Sequence, residues 1–184
     1  MKTIKQTVKS QYEIQKSKFI TTLYRIDSIE EGKQRLEEIK MLYPDASHHC
    51  YAYLLKEQKK CSDDNEPSGT AGLPILNVLE QNHLDHILAI VTRYFGGTKL
   101  GTGGLVRAYS KSVTSALNLS EIVELEAGKQ IKIIFSYDQI KAIDFILRDQ
   151  KIIYKEYDEF ITYEFIVSNE HDTNIMDQLK PLVT

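Results

Sequence analysis

An α+β protein in two units is what the sequence predicts, and three observations carry that prediction. Ile87 to Val91 is an unbroken apolar run, the pattern of a central strand covered on both faces. Stretches of period two, Lys18–Tyr24 and His48–Leu55, alternate with stretches of helical period such as Ile29–Tyr43. From Ile131 onward the elements follow the order β-α-β-β-α, a ferredoxin-like βαββαβ unit without its last strand.

In chain order, the first residues alternate weakly and Lys18–Tyr24 clearly, with Phe19, Thr21 and Leu23 on one face, so two early strands are expected. Ser28 followed by Glu31 forms a capping box, each side chain satisfying a free backbone donor of the other. The helix it opens carries Ile29, Leu36, Ile39 and Tyr43 inward and stops at Pro44. In the next strand Cys50, Ala52 and Leu54 face one way and His49, Tyr51, Tyr53 and Leu55 the other. A polar segment, Lys56–Gly72, precedes a short helix over Ile75–Leu79, with Pro74 at its first position. After the apolar strand, Val106–Leu119 is predicted helical, with Val106, Ala108, Val113, Ala116 and Leu117 inward. Glu121–Gly128 marks a boundary, with a short strand at Ile122–Leu125, and gives units of residues 1–126 and 127–184. In the second unit Ile131–Phe135 is a strand. Ser136 and Gln139 cap a helix bearing Ile140, Ile143 and Leu147. Ile152–Tyr157 and Phe160–Val167 form a hairpin around Asp158-Glu159, and Asp172 opens a helix with Ile175, Met176 and Leu179. The last strand of that unit is either missing or supplied by another chain.

Net charge is −3, which points to neither nucleic acid nor membrane through bulk charge. Residues 1–127 hold 16 basic and 16 acidic side chains, and residues 128–184 hold 7 and 10, so any basic surface is a local patch of the first unit. Two cysteines, Cys50 and Cys61, make no disulfide framework, the start has no apolar signal region, and no apolar run is long enough to span a bilayer. A cytoplasmic protein with reduced thiols, without membrane contact, is the expectation.

The densest chemical signal is Thr92–Ser112, TRYFGGTKLGTGGLVRAYSKS. It holds five of the nine glycines (Gly96, Gly97, Gly101, Gly103 and Gly104), interleaved with Arg93, Lys99, Arg107 and Lys111. Strand, glycine-rich loop and helix start make a place where backbone N–H groups and positive charge can meet an anion. The spacing is not the dinucleotide fingerprint, because Val106 stands where the third glycine belongs, and no Walker A sequence is present. Tyr94 and Phe95 beside these cations could stack on unpaired bases. The plainer expectation has Tyr94 closing the strand and Phe95 packing under the loop.

Asp63, Asp64 and Glu66 place three acids within four residues. They could hold a hard cation such as Mg²⁺ or pair with Arg93 or Arg107 to tie two loops together, and the second is preferred. The PSGTAG turn, Pro67–Gly72, suggests a fixed backbone path. A zinc site on His48, His49, Cys50 and Cys61 is disfavoured, since adjacent strand residues point to opposite faces. No spacing joins Cys50 to His83 or His86 as a nucleophile and base, and Ser68 and Ser110 lack a nucleophile elbow. No catalytic constellation emerges.

SDDNEPSGTAGLPIL (Ser62–Leu76) and VTRYFGGTKLGTGGLVRAY (Val91–Tyr109) resemble the two hallmark segments of the YigZ/IMPACT family, and HHCYAY (His48–Tyr53) is similar to the strand before them. The resemblance covers nearly all of the first unit and, more loosely, the second. It implies a βα-sandwich of the superfamily shared with a small-subunit ribosomal protein and domain four of elongation factor G. It implies a ferredoxin-like second domain. It also brings translation into view: the eukaryotic relative acts in translational control, competing for an activator of the starvation-response kinase of initiation factor two. Bacteria lack that kinase pathway, and their family members are commonly proposed to bind nucleic acid. A dipeptidase label given to some relatives finds no metal-ligand set in this sequence.

The leading expectation is therefore a translation-associated protein that contacts RNA or the ribosome through the glycine-rich basic loop, without a cofactor and more a binder than an enzyme. Two alternatives stand beside it: an Mg²⁺-dependent enzyme acting on a phosphorylated small molecule, and a protein–protein interaction module.

Overall fold

The computed structural model describes residues 1–125, 128–168 and 172–183. The chain divides into two compact units, Met1–Leu125 and Glu126–Thr184, each with its own apolar core.

The first unit is built on a five-stranded antiparallel sheet in the order β2-β3-β6-β4-β5. Its strands are β2 (Val8–Ile14), β3 (Ser17–Arg25), β4 (His48–Leu55), β5 (Gln58–Ser62) and β6 (Ile87–Tyr94). The apolar run takes the central place: residues 87–93 of β6 are all buried. One sheet face carries Phe19, Leu23, Cys50, Ala52, Ala89 and Val91 against helices α2 (Gly72–Gln81) and α3 (Gly101–Leu117). The other carries Leu88 and Ile90, with Tyr51 and Tyr53, against Ile39 and Leu36 of α1 (Ile29–Leu42). A strand covered on both faces has no use for alternation, which is why its sequence shows none.

Several elements differ from the sequence reading in instructive ways. β5 lies inside the polar segment 56–72. Being an edge strand with Lys59 and Lys60 exposed, it lacks the apolar alternation that reveals a buried strand. β1 (Lys2–Ile4) pairs with β7 (Ile122–Glu124) as a separate two-stranded ribbon. α2 starts at Gly72, so Pro74 is its third residue, still in the first turn where a missing N–H costs nothing. α3 starts at Gly101, five residues before the expected Val106, and Val106 is 38% exposed, with Leu105, Tyr109 and Ser112 inward instead. Ser28 accepts from the Glu31 N–H as predicted, while the Glu31 carboxylate reaches one residue further back, to the Asp27 N–H.

In the second unit β8 (Gly128–Phe135), β9 (Lys151–Tyr157) and β10 (Ile161–Ser168) form an antiparallel sheet in the order β8-β10-β9. The accompanying helices are α4 (Ile140–Ile146) and α5 (Asp172–Leu179). The Ser136–Gln139 capping box is present, opening a single 3-10 turn before α4. Phe135, Ile143, Leu147, Tyr163, Phe165, Ile175 and Leu179 fill the core. This is the β-α-β-β-α order read from the sequence; Met176 lies at the margin and not inside.

Candidate functional site

A buried ion pair ties the loop after β5 to the end of the central strand β6. Arg93 Nη1 donates to Glu66 Oε1 at 2.5 Å, with both side chains almost fully buried. The same carboxylate oxygen accepts from the Tyr109 hydroxyl at 2.7 Å, and His48 Nε2 lies 3.8 Å away. Arg93 Nη2 reaches Ser17 Oγ at 3.4 Å, and its guanidinium sits between the rings of Phe19 and Phe95, 5.5 and 5.7 Å from their centroids. Arg93 is 4% exposed. It cannot meet a phosphate, which corrects its place among the expected anion contacts.

The other two acids are also turned inward. Asp63 accepts from the N–H groups of Gly69, Ala71 and Gly72 at 2.8, 2.9 and 2.8 Å, which caps α2 from nine residues upstream. Burial pushes the Asp63 carboxyl up, yet these three donors outweigh it and hold the group below its ordinary range. Asp64 accepts from the His49 N–H at 2.6 Å, and its own carbonyl faces His48 Nδ1 at 2.8 Å. Asp63, Asp64 and Glu66 all accept hydrogen bonds from the chain's own donors, Asp63 from three backbone N–H groups, Asp64 from the His49 N–H and Glu66 from Arg93 and Tyr109. Among the described residues no group of three or more His, Cys, Asp or Glu is placed to hold a metal ion.

Cys50 Sγ lies 3.0 Å from the Asp63 carbonyl and 3.3 Å from the Tyr109 hydroxyl. Burial pushes its thiol up to about 12, so it is a protonated core group and no nucleophile. Burial also raises the Tyr109 phenol, which stays a donor. His48 and His49 point to different partners as strand geometry requires: His49 Nδ1 lies 3.2 Å from Thr92 Oγ1, and its burial pushes the imidazole below its usual value.

What faces solvent is the rest of the glycine stretch. Gly96 is pressed against the β2–β3 turn: a Cβ there would overlap the Lys16 carbonyl carbon, and its N–H donates to Ser17 Oγ at 3.1 Å. Gly97 and Gly101 have φ of +83° and +70° and open space where a side chain would be. Gly103 and Gly104 lie inside the first turn of α3, a seventeen-residue helix with no side-chain cap and no acid in that turn. Lys99, Arg107 and Lys111 are exposed, and among the described residues none makes an ion pair. Arg107 and Lys111 are one helical turn apart and share a face with Gly103. The contrast between the two helices is chemical: Asp63 caps the positive end of α2, while the first turn of α3 has neither a side-chain cap nor an acid.

Tyr94 is half-buried beneath the Lys18 ammonium, 4.8 Å from its ring centroid. Phe95, expected under the loop, is 50% exposed, with the Arg93 guanidinium 5.7 Å from its ring centroid. Sequence reasoning missed Tyr109, whose signal was available, since it lies four residues from both Leu105 and Val113 on the inward stripe. It also missed Lys16 and Ser17, which approach the loop only through the pairing of β3 with β6 and carry no local signal.

Comparison with known proteins follows the same segments. The Impact N-terminal domain model matches residues 15–117. The Bacillus subtilis protein YvyE, an IMPACT family member, is 39% identical over 181 residues, covering 96% of this chain and 83% of its own. The Escherichia coli family member YigZ is 39% identical over 156 residues, covering 81% and 76%. A crystal structure described as that of a hypothetical protein superposes with a TM-score of 0.74 at 34% identity, covering 98% of this chain and 91% of its own. With its buried Glu66–Arg93 pair tying together the two segments that the family model spans, this chain belongs to the IMPACT family.

Proposed function

We propose that the first unit binds RNA, on the ribosome or free, through Lys99, Arg107, Lys111 and the backbone of Gly101–Gly104. One observation carries this: Lys99 stands just before the uncapped N-terminus of α3, Arg107 and Lys111 follow along one face of that helix, and among the described residues none of these exposed cations has a carboxylate partner. N–H groups at such an end favour an anion, and flanking lysine and arginine supply the charge that phosphate contact needs. A service to translation, including its regulation, is what the resemblance of Ser62–Leu76 and Val91–Tyr109 to the family implies, and it is proposed on that ground. With an overall charge of −3, bulk attraction to RNA is absent and the contact depends on local positive charge.

The test is a Lys99→Ala/Arg107→Ala/Lys111→Ala variant titrated with RNA and with ribosomal particles. Affinity for both falls at physiological salt, while the thermal midpoint stays within a few degrees of the parent. A folded variant that binds as the parent does overturns the proposal. None of the three side chains is buried, so the fold does not depend on them.

A further inference from the structure

Phe95 is an exposed aromatic ring held in place. Its own N–H is tied to Ser47 Oγ at 3.2 Å, and the N–H of the following Gly96 to Ser17 Oγ at 3.1 Å. Gly96 has no room to move toward the β2–β3 turn, since the Lys16 and Ser17 backbone already fills the space of a Cβ. The Arg93 guanidinium, itself fixed by Glu66 and Ser17, lies 5.7 Å from the ring centroid. The backbone is therefore pinned on both sides and the ring has a fixed cation beside it, while half of its surface meets water. The surrounding charge is positive: Lys16 is exposed against the same loop, Lys18 lies over the neighbouring Tyr94, and Lys99 follows four residues later.

We infer that Phe95 is a stacking platform for an unpaired base, so that the ligand of this surface is single-stranded RNA or an RNA loop and not a continuous duplex. The inference rests on the RNA-binding proposal and adds the class of RNA to it. A π-face in a cationic surround accepts any base, because every base has a flat face, and a pre-positioned ring loses little freedom on binding. A base-paired duplex has its faces stacked internally and offers this ring nothing.

The chain has no tryptophan, so Phe95→Trp places a single reporter at the site. The full chain is titrated with a single-stranded oligonucleotide and a blunt duplex RNA of equal length, with parent, Phe95→Trp, Phe95→Leu and Lys99→Ala/Arg107→Ala. The expected result is quenching of the introduced indole's fluorescence by the single strand and not by the duplex. Phe95→Leu, which keeps apolar bulk, weakens single-strand binding roughly five- to a hundredfold, the range of one lost base stack. Thermal unfolding of Phe95→Leu like that of the parent shows that the loss is not one of folding. If Phe95→Leu binds the single strand as the parent does while the cation variant loses it, stacking is overturned and RNA binding stands. Duplex binding as tight as single-strand binding, with equal quenching, also overturns the inference. If neither variant changes binding, both proposals fall.

Discussion

Glu66 accepts from Arg93 and Tyr109 where water scarcely reaches, so removing its charge leaves a buried guanidinium without a counter-ion. Loss of one partner of such a pair costs about 3–5 kcal/mol. Glu66→Gln should therefore lower the unfolding free energy by about that amount, as denaturant titration will show. Two further residues make stability depend on pH in the same direction. Burial lowers the His49 imidazole, so the folded chain holds fewer protons than the unfolded chain below about pH 6.5. Its contribution is present above that pH and declines as pH falls below it. Asp63 is also lowered, so its contribution persists until pH falls below about 4, where the unfolded carboxyl begins to take up a proton first. Thermal midpoints measured across this range should fall in two stages. His49→Gln should remove the first and Asp63→Asn the second. The three acids were legible from the sequence as a cluster. Their individual partners were not, because Asp63 finds its donors six to nine residues downstream and Glu66 finds Arg93 through the sheet.

At the scale of the element, the glycines divide by what their backbones require. Gly96→Ala drives a methyl into the Lys16–Ser17 backbone and should detach the loop from the β2–β3 turn, with substantial loss of stability. Gly97→Ala and Gly101→Ala force an L side chain to positive φ and should each cost about 1 kcal/mol. Gly103→Ala meets only the flexible end of Arg107 at 3.7 Å, and in a helical turn it should stabilise by about 0.5–1 kcal/mol in urea unfolding. From sequence these glycines form one cluster; the fold separates turn, close packing and helix. That separation also explains the misplaced start of α3. Glycine weakens a helix prediction, so Gly101–Gly104 read as loop until the strand before and the packed stripe after fixed the turn. The central strand and β10 were legible because burial on two faces, or chiefly on one, writes itself into the apolar pattern. The edge strand β5 buries little and writes nothing. β1, although Thr3 and Ile4 are buried, is too short to show a period, whereas its partner β7 was expected at Ile122–Leu125.

Across the whole molecule the charge is close to balanced, and function on this account depends on arrangement. The first unit engages its buried acids with a guanidinium at Glu66 and with backbone N–H groups at Asp63 and Asp85, while among the described residues Lys99 before α3 and Arg107 and Lys111 along it have no carboxylate partner. No described helix is long and apolar enough to cross a membrane. A surface that works by phosphate contact releases counter-ions when it binds, so its affinity must fall with salt in proportion to the contacts made. The most direct measurement is the dependence of single-stranded RNA affinity on salt concentration, for the parent and for Lys99→Ala/Arg107→Ala/Lys111→Ala. The account predicts a linear fall of log affinity with log salt for the parent, and a slope smaller by about 2–3 in the variant. Equal slopes for the two folded proteins would contradict it.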